Sequence, residues 1–67
     1  MTTGQIVMIA RRGLHMTQEQ LAKEVGISRQ TLARIENGDY MNFTAHTAVK
    51  LAKALGLSLD VLLCLEL

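Results

Sequence analysis

The sequence has few of the residues that stabilise disulfide-bonded or metal-binding domains. Cys64 is the single cysteine among 67 residues, so the chain cannot form an internal disulfide. His15, His46 and Cys64 are scattered and match no metal-ligand spacing. No nucleophile, base or phosphate-binding loop accompanies them. We therefore expect no metal, no cofactor and no enzymatic activity, and we assign these three residues to structure.

Long apolar runs and an excess of one charge are also missing. No run approaches the roughly 20 apolar residues that cross a bilayer. The N-terminus lacks the basic and apolar regions of a signal peptide. Net charge is only +1, which does not by itself point to nucleic acid. We expect one cytoplasmic domain over residues 1–67, without a membrane partner, because a chain of this length has room for a single core.

The residues that are present favour helices. Tyr40 and Phe43 are the only aromatic residues, while Ala, Leu, Lys, Glu and Gln are frequent. Residues 1–38 carry five Lys or Arg against three acids, and residues 39–67 carry two against three. The basic half of the chain is therefore the N-terminal half, which also contains the motif described below.

The first predicted helix runs from Gln5 to Arg12. Ile6, Val7, Ala10 and Leu14 fall on one face of it at a helical period. Its other apolar residues, Met8 and Ile9, lie off this face and belong either to the core of a covered helix or to a subunit contact.

Two short helices follow, joined by a tight turn. Thr17 and Gln20 have the spacing of a capping box, and Gly26 can adopt the left-handed conformation that ends a helix. Ser28 can cap the next helix, which ends at Gly38. The sequence therefore predicts a helix-turn-helix over residues 17–38.

The C-terminal part predicts one more helix and an ambiguous ending. Thr44 to Leu55 has helical periodicity and is closed by Gly56. In "SLDVLLCLEL", Ser58 could cap a short helix, but alternate leucines and Val61 also have the period of a strand. We favour a short strand over Val61 to Leu67, which could pair with its mate in a dimer.

The second helix of the helix-turn-helix has an exposed arc that is rich in donors. On a helix advancing about 100° per residue, Leu32 and Ile35 face the core, and no acid lies on the opposite arc. Arginine can donate two hydrogen bonds to guanine, and glutamine can bind adenine through two hydrogen bonds. An ordinary solvated face would have similar residues, so the arc alone does not distinguish such a face from one that binds DNA. The two capped helices and the glycine turn between them favour DNA binding. The arc comprises Arg29, Gln30, Ala33, Arg34 and Asn37.

The stretch "MTQEQLAKEVGISRQTLARIENG" resembles the helix-turn-helix of lambda-repressor-like regulators. "LAKALGLSLD" is similar to the later helix and turn of that family, so the resemblance covers nearly the whole chain. It implies an all-α bundle of four or five helices that binds double-stranded DNA as a dimer.

The resemblance also implies roles for individual residues. Gln18 would meet a phosphate and the first base, and Arg11 would pair with Glu36 and could also face a phosphate. The residues expected to read bases are Arg29, Gln30, Arg34 and Gln18, and those expected to contact the DNA backbone are Thr17, Ser28, Thr31, Asn37 and Arg11.

Two departures from the family pattern concern the turns. His15 stands where the family often has glycine, and Gly13 comes earlier, so the end of the first helix is open. The loop after Gly38 lacks the frequent proline and is one residue longer. Tyr40 and Asn42 in that loop are further candidates for backbone contacts.

These features predict a transcriptional repressor that acts as a homodimer on a palindromic operator. The alternative is an antitoxin that binds a toxin protein and represses its own operon, because the short length and the strand-like ending resemble such proteins. Both interpretations require DNA binding, so a toxin-like partner would distinguish them.

Overall fold

A computed structural model describes residues 1–38 and 44–63. Over these ranges the chain forms five helices and no strand. In chain order they are α1 (Thr3–Gly13), α2 (Gln18–Val25), α3 (Arg29–Asn37), α4 (Ala45–Leu55) and α5 (Leu59–Leu62). The expected all-α bundle and its helix-turn-helix are therefore confirmed.

Side-chain caps begin α2, α3 and α4 where the sequence predicts that these helices start. Thr17 accepts a hydrogen bond from Gln20 N, and Gln20 in turn accepts one from Thr17 N, which is a complete capping box. Ser28 and Thr44 cap α3 and α4 through their hydroxyl oxygens, which accept from Thr31 N and Thr47 N. These contacts span three residues, so local sequence is sufficient to form them.

The first helix is longer than the sequence pattern predicted. Thr2 and Gln5 form a second capping box, so α1 begins at Thr3, two residues before the predicted start. The apolar pattern begins only at Ile6, and for that reason it missed the first turn. At the other end the helix reaches Gly13.

The turn between α1 and α2 is made by an unusual residue. His15 has a φ of 57°, and it is the only residue other than glycine with a positive φ in the described chain. This left-handed conformation favours glycine, because a Cβ crowds the backbone there. The turn that the family often makes with glycine is thus made here with a strained histidine.

The turn between α2 and α3 is made by glycine, as predicted. Gly26 ends α2 with a φ of 85°, and its N–H donates to the carbonyl of Ala22. Ile27 N donates to the same carbonyl, and the chain then enters α3 through its cap at Ser28. The glycine turn therefore fixes the angle at which α3 leaves α2.

The core lies where all five helices meet. The helix α1 packs against α3, α4 and α5, while α2 packs against α3 and α4. Ile9 is half-exposed and thus lies outside this core, whereas Met8 is partly buried. The buried apolar residues are Val7, Leu21, Ala22, Val25, Leu32, Ile35, Ala48, Leu51, Ala52, Leu55 and Leu62.

The predicted strand at the C-terminus is wrong where the structure describes it. Ser58 caps α5 by accepting from Val61 N, so residues 59–62 form a short helix. Leu62 is fully buried while Val61 is 52% exposed. A single helical turn against the core produces this alternation as readily as a strand does, which explains why the sequence pattern was ambiguous. The remainder of the predicted strand, residues 64–67, lies outside the described residues.

No helix within residues 1–38 and 44–63 is long and apolar enough to cross a membrane.

Candidate nucleic-acid interface

The predicted arc of α3 is on the surface. Arg29, Gln30, Arg34 and Asn37 are all exposed, and Ala33 between them is partly buried. The opposite side of the helix is buried in the core through Leu32 and Ile35. Because Ala33 has a short side chain, another molecule could approach the helix closely between the longer polar side chains. The arc thus has the shape and the hydrogen-bond donors that a protein needs to contact base edges in a DNA groove.

The inner side of α3 also carries a charge, Glu36, which is paired with Arg11 of α1. Arg11 donates from Nε to Glu36 Oε2 at 2.8 Å and from Nη2 to Glu36 Oε1 at 3.1 Å. The two side chains are 9% and 3% exposed, so this is a buried bidentate ion pair. The family resemblance predicted the pair, and the structure confirms it.

The pair is further tied to the turn that precedes α2. Arg11 donates from Nη1 to the carbonyl of Met16 at 2.8 Å. The hydrogen bond to Glu36 raises the pKa of Arg11 above its ordinary value, although burial opposes this change. A pKa that is raised in the folded state makes Arg11 contribute stability that is lost as the pH rises through that pKa, in strongly alkaline solution. The pair therefore links α1 and α3.

Gln18 joins the same network instead of standing alone at the surface. Its Nε2 donates to Glu36 Oε1 at 3.1 Å. This leaves the amide oxygen and one N–H of Gln18 for another molecule. The first residue of α2 is therefore held in a fixed orientation by the buried carboxylate of α3.

The predicted backbone-contact hydroxyls have partners within their own caps. Ser28 Oγ accepts from Thr31 N at 3.0 Å and is hydrogen-bonded to Thr31 Oγ1 at 2.8 Å. Either hydroxyl can be the donor of that contact, so the pair keeps one hydroxyl proton for an outside acceptor. Thr17 Oγ1 accepts from Gln20 N, and its proton is likewise available. Thr17 and the Ser28–Thr31 pair can therefore each donate to a phosphate.

An open cleft brings several predicted residues together at the start of α2. It also contains two residues that the sequence did not suggest, the exposed Arg12 and Glu19. Arg12 lies in the last turn of α1, and no local motif marks it as a site residue. The cleft forms only when the end of α1 and the first residues of α2 and α3 come together in the fold. The cleft is lined by Arg11, Arg12, Thr17, Gln18, Glu19 and Arg29.

Other candidate residues fall outside this arrangement. Tyr40 and Asn42 lie outside the described residues. Within the described ranges there is no group of three or more His, Cys, Asp or Glu side chains that could hold a metal ion.

Comparison with known proteins identifies the family. A helix-turn-helix family model matches residues 7–62, and the chain therefore belongs to the helix-turn-helix family. An uncharacterised HTH-type transcriptional regulator of Methanocaldococcus jannaschii is 46% identical over 50 residues, which are 73% of this chain and 74% of that protein. The ImmF control region 10 kDa protein of Bacillus phage phi105 is 36% identical over 64 residues, covering 96% of this chain and 70% of the phage protein.

Solved structures show the same architecture. The P22 c2 repressor, determined in complex with a synthetic operator, superimposes with a TM-score of 0.88 at 28% identity and covers 94% of both chains. The biofilm regulator SinR, determined in complex with DNA, has a TM-score of 0.84 at 23% identity over 91% of this chain and 97% of that one, a likeness of fold. The chain is thus a lambda-repressor-like helix-turn-helix protein and a DNA-binding transcriptional regulator.

Proposed function

We propose that this protein is a repressor that reads a specific sequence in double-stranded DNA through α3. The observation that carries the proposal is the exposed, acid-free arc of α3, on which Arg29, Gln30 and Arg34 stand around the small Ala33. The solved structure of the similar P22 c2 repressor in complex with an operator supports the same use of this fold.

We assign base reading to the arc because its polar side chains are exposed on the side of α3 that faces away from the core. Arg29 and Arg34 can each donate two hydrogen bonds to guanine O6 and N7, and Gln30 can pair with adenine N6 and N7. Gln18, held by Glu36, contributes its free amide oxygen or N–H at the edge of the groove. Such contacts discriminate between base pairs, whereas charge alone does not.

Backbone contacts surround the arc and set its register. Thr17 and the Ser28–Thr31 pair have hydroxyl protons available for phosphate oxygens, and Asn37 is exposed at the other end of α3. Arg11 uses three of its five N–H groups within the protein, so it has two left for a phosphate. Ser28 also caps α3 and so orients its N-terminus.

We propose further that the protein acts as a homodimer on a palindromic operator. Two α3 helices related by a two-fold axis would enter successive major grooves about 34 Å apart. In the described chain, α5 exposes Leu59 and Val61, apolar side chains that a second copy would cover. Val61→Lys is expected to give monomers, while Val49→Lys, at an exposed valine of α4, leaves the dimer intact. A dimer that survives Val61→Lys but not Val49→Lys would move the contact to α4.

The antitoxin alternative has less support than it had from the sequence. It relied on the short length and on a strand-like ending, and residues 59–62 of that ending are helical. Co-purification of a toxin-like protein with the tagged chain would favour it over a repressor that acts alone.

The experiment that tests the main proposal is selection of binding sites from random duplex DNA. The selected site and a scrambled control are then titrated at two salt concentrations, because phosphate contacts alone make binding salt-dependent without making it specific. A symmetric motif, bound about a thousandfold more tightly than the control, is expected of a dimeric sequence reader. Salt-sensitive binding without a preferred sequence would contradict the proposal.

A further inference from the structure

Gly4 lies at a close contact between the backbones of α1 and α3. It is the second residue of α1 and is buried against the last turn of α3. A Cβ added there would lie 2.8 Å from the carbonyl oxygen of Glu36 and would also overlap that of Ile35. Both obstacles are backbone atoms, so no side-chain rotation could relieve the overlap.

Backbone conformation does not explain this glycine. The glycines with positive φ in the described chain are Gly26, Gly38 and Gly56, and Gly4 is not among them. Glycine within a helix is less favourable than alanine. The reason for glycine at position 4 is therefore the space that α3 requires.

The contact also agrees with the electrostatics of the two helices. The first turn of α1 carries the positive end of its dipole, and the last turn of α3 carries the negative end. Glu36, whose carbonyl faces Gly4, is the residue whose side chain binds Arg11 two turns farther along α1. The C-terminal end of α3 is thus fixed to α1 at two points, one through the backbone and one through the ion pair.

We propose that Gly4 is a positioning residue for DNA reading, because it sets the distance and angle of α3 relative to the rest of the domain. This inference rests on the proposed function of α3. In Gly4→Ala, α3 must move away from α1 by about 0.5 Å or more to relieve the overlap. The residues of a binding site must be held within about 0.5 Å of their productive positions, so this displacement is large enough to matter. The displacement moves Arg34 and its neighbours on the arc, although no residue that contacts DNA has been changed.

The test compares Gly4→Ala with Gly13→Ala. The control makes the same substitution on the same helix, but no atom lies within 4 Å of the added Cβ. Gly4→Ala is expected to weaken binding to the selected site by about tenfold or more, since it misaligns bidentate base contacts. Binding to the scrambled duplex changes by less than about twofold, because phosphate contacts tolerate small shifts. Gly13→Ala leaves both affinities at the wild-type level.

A spectroscopic readout follows the position of α3 without DNA. The Nε proton of Arg11, hydrogen-bonded to Glu36 in a buried pair, is expected to give a distinct NMR resonance. In Gly4→Ala this resonance shifts or broadens while far-UV circular dichroism stays helical, and in Gly13→Ala it is unchanged. If the wild-type protein itself does not prefer the selected site, the proposed function fails, and the resonance alone decides the role of Gly4.

Two outcomes would overturn the inference. One is a Gly4→Ala protein with wild-type specificity and a wild-type Arg11 resonance. The other is a Gly4→Ala protein that does not fold even when it is combined with His15→Gly. That second change is expected to relieve backbone strain in the turn between α1 and α2. In that case the fold as a whole requires glycine at position 4, and Gly4 has no separate role in positioning α3.

Discussion

The two sides of α3 differ in what surrounds them and in how freely they can change. On the inner side, Leu32 and Ile35 lie in the core, and Glu36 is bound by Arg11 and Gln18. On the outer side, Arg29 and Gln30 are exposed. The inner side determines where the helix lies, and the outer side determines what it can recognise. Substitutions on the two sides should therefore change different measured quantities.

The largest effect is expected from Glu36→Ala on the inner side. The substitution leaves the guanidinium of Arg11 buried without its carboxylate, and breaking a buried pair in this way costs about 3–5 kcal/mol. Urea denaturation followed by circular dichroism measures the loss. A domain of this size has little stability to spare, so the variant is expected to be largely unfolded at 37 °C.

The double variant Arg11→Met with Glu36→Leu provides the control. It removes both charges together and replaces them with apolar side chains, so it is expected to recover most of the stability that Glu36→Ala loses. A Glu36→Ala protein within about 1 kcal/mol of wild type would mean that the pair does not hold α3, since an unpaired buried charge is expected to cost several times more.

A smaller effect, and a different one, is expected from Arg34→Ala on the outer side. Loss of a bidentate base contact costs about 1–3 kcal/mol of binding to the selected site and relaxes one base preference. The free energy of unfolding is expected to change little, because the residue is exposed. Fluorescence anisotropy with the selected and scrambled duplexes gives the two affinities.

Arg34→Lys sharpens that measurement. Lysine keeps the charge but cannot donate two parallel hydrogen bonds, so binding to scrambled DNA is retained while the base preference falls. Equal weakening on both duplexes by Arg34→Ala would contradict the assignment of this residue to base reading.

A substitution in the turn before α2 is expected to increase the stability of the fold instead of decreasing it. His15→Gly is expected to stabilise the fold by about 1 kcal/mol, since glycine adopts the observed left-handed conformation without strain. This corresponds to a rise in Tm of about 4 °C or more for a domain of this size. His15→Ala keeps a Cβ and therefore should not raise Tm. An equal rise in both variants would show that the imidazole, and not the backbone, is unfavourable there.

The smallest effect is expected from Arg12→Ala in the cleft. If Arg12 contacts one phosphate, its loss lowers the slope of log K against log salt by about 0.9 and weakens all duplexes equally. Lys53→Ala, on α4 outside this cleft, should leave the slope unchanged. A change in base preference by Arg12→Ala would instead assign this arginine to the reading of bases.

Most of the helices could be predicted because their signals are local. The caps of α2, α3 and α4 are formed by residues three positions apart, and the glycines that end them follow directly. The arc of α3 follows from helix geometry once its ends are known. The C-terminal turn could not be predicted in the same way, because four residues are too few to distinguish a period of two from one of 3.6.

The helix-turn-helix and the side chains that α3 exposes follow from local sequence, since both depend on contacts within a few residues. Packing between distant segments makes residues 59–62 helical, with Leu62 in the core. The same packing places Arg12 at the cleft and brings Gly4 against the carbonyls of α3. These relations join segments far apart in the chain, and local propensity carries no information about which distant surfaces will pack together.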